Sequence, residues 1–372
     1  MNEPCWPWRP PAPALTLAAR LQYPEAFDSH SDDVPKPSEL AELEQVIREA
    51  GSLIEVTVAS EVESREGRLP IYSIAIGRSG TDVPGVGFFG GIHGLERIGA
   101  EVVIAYLRSV IRSLRWDDDL SRKLESLRLI FMPIVNPGGL ERGTRANPRG
   151  VDLMRNAPLD ATEPVPFLVG GQRLTPSLPW FRGYAGQPME TESLAVCDIV
   201  ERELLSRPFA LALDCHSGFG MKDRIWFPYA RTAAPIPHLA EMHAIKQIFD
   251  QSYVHHDYTF EPQSRHYLAH GDLWDYLYEK SVARGLGVFL PLTLELGSWL
   301  WVKKNPRQLF SRHGIFNPLI RHRQERVLRR HLSWLEFLTR AARSYKRWLP
   351  VDSEHSAQCT AAMELWYAGG KP

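Results

Sequence analysis

Cysteine is scarce in this 372-residue chain: four thiols, Cys5, Cys197, Cys215 and Cys359, stand far apart with no Cys-x-x-Cys among them. That excludes a disulfide scaffold and a cysteine-built metal cluster, and it suits a reducing compartment. Net charge is nearly absent at -1, so the chain as a whole has no strong field to draw it to polyanions. No apolar run approaches the ~20 residues that a membrane-spanning helix needs, so no membrane partner is expected. The opening segment MNEPCWPWRPPAPALTLAAR lacks the basic start and unbroken apolar core of a secretion signal. The expected location is the cytoplasm. What is present, 44% hydrophobic, 23% charged and 10% aromatic residues, is ordinary for a globular enzyme-sized domain.

Charge is balanced overall but not locally. From Lys303 to Arg347 there are 13 Lys/Arg and two acids, Glu325 and Glu336. A nucleic-acid binder concentrates such charge beside exposed aromatics or a known module. Here Val327, Leu328, Leu332, Leu335 and Leu338 recur at helical spacing, so the basic residues read as the solvated face of a helix. An anionic partner for that face is the alternative; no nucleic acid is expected.

The chain divides into a proline-rich arm over 1–37, a main domain over 38–350 and a loose tail over 351–372. Residues 38–51 predict a helix capped by Ser38 and ended by Gly51. LIEVTVASE and RLPIYSIAIG alternate as two strands joined near Gly67. The apolar runs 86–93, 127–135, 209–217 and 288–297 predict central strands covered on both faces, with a helix over 98–114 between the first two. Strands alternating with helices predict a single-domain α/β/α sandwich around a mixed, largely parallel sheet. The Pro- and Gly-rich stretch 158–185 predicts a long loop, a kind of segment often used in function.

The reactive-looking residues follow the buried strands, and the carboxyl edge of an open α/β sheet is where ligands bind. Gly90 and Gly91 allow a close turn into His93-Gly94-Leu95-Glu96, whose His and Glu are near enough in sequence to aim at one spot. Alone, such a pair is weak evidence for a metal. His216 leaves the strand 209–217 at the same edge and completes a His₂Glu set, the ligand type of catalytic zinc sites with an open position. Glu295 alternates with Leu294 and Leu296 at the end of the last strand. It is either a salt-bridged structural carboxylate or, beside a metal, the general base for a water. The loop 136–156 adds Arg142, Arg145, Arg149 and Arg155, able to stabilise an oxyanion or hold a carboxylate.

The ordered set resembles the M14 family of zinc carboxypeptidases, in its short bacterial form without a prodomain, over roughly residues 50–345. The motifs that carry it are His93-x-x-Glu96, the Asn-Pro-x-Gly at 136–139, the Arg145 to Asn156 segment, His216-Ser217 and Glu295. The resemblance implies one zinc per chain, held by His93, Glu96 and His216, with Asp152 orienting His93. It implies Glu295 as general base toward a zinc-activated water, and Arg145 polarising the scissile carbonyl of a peptide substrate. Arg155 would grip the terminal carboxylate, and Tyr267, at the family's spacing from Gly271 and Asp275, would close over the substrate. Trp274 falls where the family sets side-chain preference and implies a shallow or altered pocket. Met154 departs from the family's Asn beside the carboxylate-binding Arg, and a thioether cannot donate to a carboxylate. That keeps open a zinc deacylase or amidase acting on small acyl amino acids or cell-wall peptides.

Overall fold

The computed structural model describes residues 37–64 and 67–368. The arm expected over 1–37 lies outside them except for Pro37. Eight strands form one sheet: β1 (Glu55–Ser64), β2 (Gly67–Gly77), β3 (Gly85–Gly90), β4 (Arg128–Met132), β5 (Phe209–Ser217), β6 (Arg224–Phe227), β7 (Thr259–Pro262) and β8 (Val288–Leu296). Their order is β1-β2-β4-β3-β5-β8-β6-β7. The central strands β4, β3, β5 and β8 are mutually parallel. The hairpin β1–β2 joins β4 antiparallel on one side, and β6 joins β8 antiparallel on the other. The fold is therefore the expected α/β arrangement on a mixed sheet.

Ten α-helices accompany it among the described residues: α1 (Ser38–Ala50), α2 (Arg97–Ser113), α3 (Asp118–Leu124), α4 (Pro137–Arg142), α5 (Thr191–Glu203), α6 (Leu239–Ser252), α7 (Leu273–Arg284), α8 (Trp299–Lys304), α9 (Arg321–Arg343) and α10 (Asp352–Trp366). Helices cover both faces, and two adjacent residues of β3 show it. Phe88 packs edge-on against Tyr106 of α2, with centroids 5.0 Å apart, and Phe89 packs likewise against Trp274 of α7. Successive strand residues point to opposite faces, so α2 and α7 lie on opposite sides. Every residue of β3, β4 and β5 is buried, which explains why their sequences read as continuous apolar runs rather than alternating ones.

Local chemistry departs from expectation at both ends. Ser38 is the first residue of α1, not its cap; Pro37 takes the cap position, and the Ser38 hydroxyl donates to Glu39 Oε2. Residues 352–366, expected as a loose tail, form α10, whose Ala362 and Trp366 are buried. Trp366 donates its indole N–H to Phe260 O at 2.8 Å and packs edge-on against Phe227 at 4.7 Å. The helix thus clamps β6 and β7, strands of four residues each that have little pairing of their own. The basic helix is α9. Val327, Leu335 and Leu338 are buried as their spacing predicted, and Leu328 and Leu332 are half-buried. No helix among the described residues is long and apolar enough to cross a membrane.

Strand order reverses between β3 and β5, because the chain passes from β3 outward to β4 and then returns to the other side of β3. Such a switch point opens a crevice at the carboxyl ends of the two strands. We expect Trp366→Ala to cost about 3–5 kcal/mol, as for other buried Trp truncations. Denaturant unfolding should show a lower midpoint, and amide exchange should show β6 and β7 losing protection before β3 and β5.

Candidate active site

The crevice is shaped first by backbone. After β3 the chain turns at Gly91, whose φ of +60° an L side chain rarely adopts. At Gly94 a Cβ would stand 2.0 Å from the backbone of Gly139, so only glycine lets the 93–96 segment lie against α4. This places His93 and Glu96, the residue preceding α2, beside the end of β5, where His216 points into the crevice. His93 Nδ1 lies 2.9 Å from Glu96 Oε1, and His216 Nδ1 lies 3.1 Å from Glu96 Oε2 and 3.2 Å from His93 Nδ1. All three residues are buried.

The far side of each imidazole meets a carboxylate. His93 Nε2 is 3.1 Å from Asp152 Oδ1, and His216 Nε2 is 2.5 Å from Asp214 Oδ2. Acceptors there assign the ring proton to Nε2 in both histidines and turn both Nδ1 lone pairs toward Glu96. Three acceptors then converge on one buried point, each within 4.8 Å of the others. That donor set, two imidazoles and a carboxylate, fits zinc. The electrostatics also favour positive charge. Burial opposes ionisation of Glu96, but the imidazoles of His93 and His216 offset it and hold the carboxyl well below its ordinary range. Burial also opposes a charged His216, yet Asp214 and Glu96 raise its pKa well above the ordinary value.

Arg145 is held from two sides. Its Nε donates to Asp152 Oδ2 at 2.8 Å and its Nη1 to Glu96 Oε1 at 3.2 Å, and the residue lines the cavity. Asp152 joins the two halves. It accepts from His93, Arg145 and the Met154 N–H, and although burial opposes its charge, Arg145 and His93 keep it ionised. Glu295 is the register partner of His216 on β8 and accepts from the Phe219 N–H at 3.0 Å. Burial, with the nearby Glu96 charge, pushes its carboxyl up to about 8, the direction that suits a group whose task is to take up a proton.

A cavity of about 310 Å³ opens from this cluster and is lined by His93, Glu96, Arg145, Met154, Arg155, His216, Tyr267 and Glu295. Eight of the ten site residues singled out in the sequence therefore share one space. Asp152 supports it from behind. Arg155 is only 2% exposed and donates from Nη2 to Tyr267 Oη at 3.2 Å. Its ion pair with Asp272 spans 3.9 Å, too far for a hydrogen bond, and its Nε has no partner among the described residues. A buried guanidinium so incompletely paired is prepared for an anion. Gly271 sets its position: a Cβ there would meet Arg155 O at 2.0 Å.

The tenth residue, Trp274, does not line the cavity. Its indole N–H donates to Asp214 Oδ2 at 2.9 Å while its ring packs on Phe89, so it braces the carboxylate that holds His216. Arg142 and Arg149 are also elsewhere. Arg142 donates to Pro148 O within its own loop, and Arg149 faces Glu190 with its side chain 75% exposed. Only Arg145 and Arg155 of the four arginines reach the site. The sequence reading also missed Phe219, Trp226, Gln263 and Thr293, which line the cavity. Trp226 and Gln263 sit in or just after the two shortest strands, too brief for a periodic signal. From the long loop 158–185, Val169 and Trp180 reach the cavity, and Trp180 does so at a φ of +59°.

A family model described as Peptidase_M14, zinc carboxypeptidase, matches residues 41–299. No curated protein matches the sequence. Among solved structures, bovine thrombin-activatable fibrinolysis inhibitor in complex with tick carboxypeptidase inhibitor is similar at 18% identity and a TM-score of 0.59, covering 81% of this chain and 94% of that one. Carboxypeptidase A from Helicoverpa armigera is similar at 18% identity and a TM-score of 0.57, covering 81% and 71%. At these identities the structural likeness shows the fold.

His216→Ala should lose most bound zinc on elemental analysis after metal reconstitution. Asp214→Asn should weaken zinc by about 10–100-fold in a chelator competition, as for loss of a carboxylate behind a ligating histidine. Unchanged affinity in both variants would remove His216 from the ligand set.

Proposed function

The chain belongs to the zinc carboxypeptidase family, and from that membership we propose that it hydrolyses the terminal amide bond of a peptide, with one zinc held by His93, Glu96 and His216. The observation that carries the reading is the single cavity in which this cluster, Glu295, Arg145 and Arg155 face one another. Zinc held there supplies Lewis acidity toward a water and toward the scissile carbonyl. Glu295 takes the proton of the attacking water and returns it to the leaving amine. Arg145, fixed by Asp152 and Glu96 at the cavity, stabilises the oxygen on which negative charge develops. Arg155 and Tyr267 hold the terminal carboxylate and so place the last peptide bond at the reacting groups. The three described cysteines are unpaired, in keeping with a cytoplasmic setting.

Met154 supports a second reading. It lines the cavity beside Arg155, and its thioether contributes no donor there. With a weaker hold on a free carboxylate, the same chemistry suits a deacylase or amidase acting on small acyl amino acids or cell-wall peptides. Serial loss of C-terminal residues from a peptide mixture supports the first reading; release of an acyl group or small amine alone supports the second.

Glu295→Gln should retain zinc and fold while losing turnover by about 10² or more, the contribution of a positioned general base. The acid limb of the kcat/KM profile should go with it, since the base works only as the carboxylate. Met154→Asn should raise the preference for a peptide acid over its amide by about tenfold, the worth of one charge-assisted hydrogen bond. An unchanged ratio means that this position does not set carboxylate recognition.

A further inference from the structure

The start of a buried helix has backbone N–H groups that need acceptors, and the residue just before the first turn ordinarily supplies one from its side chain. In α2 that residue is Glu96, and its side chain makes no bond to the helix. The carboxylate is turned instead toward His93, His216, Arg145 and the backbone N–H of Ser217, which donates to Oε2 at 2.9 Å. The missing acceptor comes from the far end of the chain: Asn317 Oδ1 takes the Ile98 N–H at 2.9 Å. Ile98 is the second residue of α2, a position whose N–H a capping side chain serves. The same carboxamide donates from Nδ2 to Leu95 O at 2.8 Å. Asn317, 7% exposed, thus grips the backbone on both sides of Glu96.

The pair of bonds requires a carboxamide. Leu95 O can only accept and the Ile98 N–H can only donate, so the two partners fix which end of the amide is oxygen. An aspartate there keeps the acceptor and loses the donor, and an alanine loses both. Asn317 is itself held. Its backbone N–H donates to His313 O at 2.9 Å, and its carbonyl accepts from Gln308 Nε2 at 3.1 Å, the same nitrogen that donates to Gly314 O at 2.8 Å. Gln308 is buried, and a Cβ at Gly314 would stand 1.9 Å from the Gln308 carbonyl oxygen, so the turn before Asn317 closes tightly. The first turn of α2 also lies hard against β5: a Cβ at Gly99 would meet Cys215 O at 2.2 Å, one residue before His216. Any shift of that turn therefore changes how Glu96 faces His216.

Resting on the proposed zinc site, we propose that Asn317 is a positioning residue for Glu96: it caps α2 from outside the helix and fixes the peptide groups on either side of the ligand. The arrangement relieves the Glu96 carboxylate of capping and leaves it to the metal. Hydrogen bonds that orient a ligand contribute to metal affinity without touching the metal. Asn317 is not among the residues lining the catalytic cavity, so its effect passes through the place and direction of Glu96.

The test reads the metal rather than turnover. Zinc affinity is measured by chelator competition, and the visible absorption of the cobalt(II)-loaded protein reports the geometry of its ligands. Asn317→Ala should weaken zinc by about 10–100-fold and shift the cobalt bands. Asn317→Asp keeps the acceptor for Ile98 but not the donor to Leu95, and should weaken zinc by about tenfold. Trp366→Ala, which loosens the fold away from the site, is the control and should leave both readouts at their parental values. Parental affinity and spectrum in both Asn317 variants, with only a lower unfolding midpoint, overturn the positioning role, and so does a control that moves as far as they do. If Asn317→Ala does not fold, Asn317→Asp decides alone: weaker zinc with shifted bands supports the role, and parental values overturn it. A parent protein that takes up no zinc overturns the metal site itself, whereas a zinc-binding parent with unchanged variants overturns the role of Asn317 alone.

Discussion

Three lone-pair groups aimed at one buried point repel one another unless positive charge sits among them, and the structure is organised around that constraint. His93, Glu96 and His216 come from two strand ends and a helix start, with their facing atoms within about a hydrogen bond's length of each other. The imidazoles cannot rotate away, because Asp152 and Asp214 hold their far nitrogens. Asp214 is in turn braced by Trp274, and Asp152 by Arg145. Asp152, Asp214 and Trp274 are themselves buried and Arg145 is half-buried, so the cost of desolvating one charge is met largely by the next partner in the chain rather than by water.

That network also assigns work to the surrounding scaffold. Parallel pairing of β5 with β8 sets His216 opposite Glu295, and it is register alone that makes them neighbours. The segment after β4 reaches the same edge through α4 and carries Arg145, Asp152 and Arg155 as one unit. Arg182 of the long loop donates to Arg155 O and to Asp160, which ties that unit to the chain above it. α10 secures the short strands whose residues form the cavity's outer wall. The site is rigid where charge must be placed and assembled from loops where shape is needed.

How much of this could be read in advance depended on whether a residue's role was written in its neighbours. The buried strands were legible because residues covered on both faces must be apolar without interruption. His93, Glu96, His216 and Glu295 were legible because polar groups at the ends of such strands have no bland reason to be there in that order. Trp274 was misplaced because sequence spacing locates a backbone position but not the direction in which an indole turns. Arg142 and Arg149 shared a loop with Arg145 and Arg155, and nothing in the spacing told which two would face inward. β6 and β7 are too short for a period, and α10 carries only two buried residues on a helix that is otherwise exposed.

The sequence by itself therefore determined the layered α/β architecture, the three metal-binding candidates, the carboxylate proposed as base and the two arginines' loop. These rest on composition and order along the chain, which local physical chemistry reads directly. Only the tertiary structure decided which arginines reach the cavity, that Trp274 supports Asp214, and that Thr293 and Gln263 line the same cavity. Those relations join residues from separate strands and loops. They are set by strand register, by the turn direction of single side chains and by close backbone approaches at Gly94 and Gly271, none of which leaves a periodic trace in the sequence.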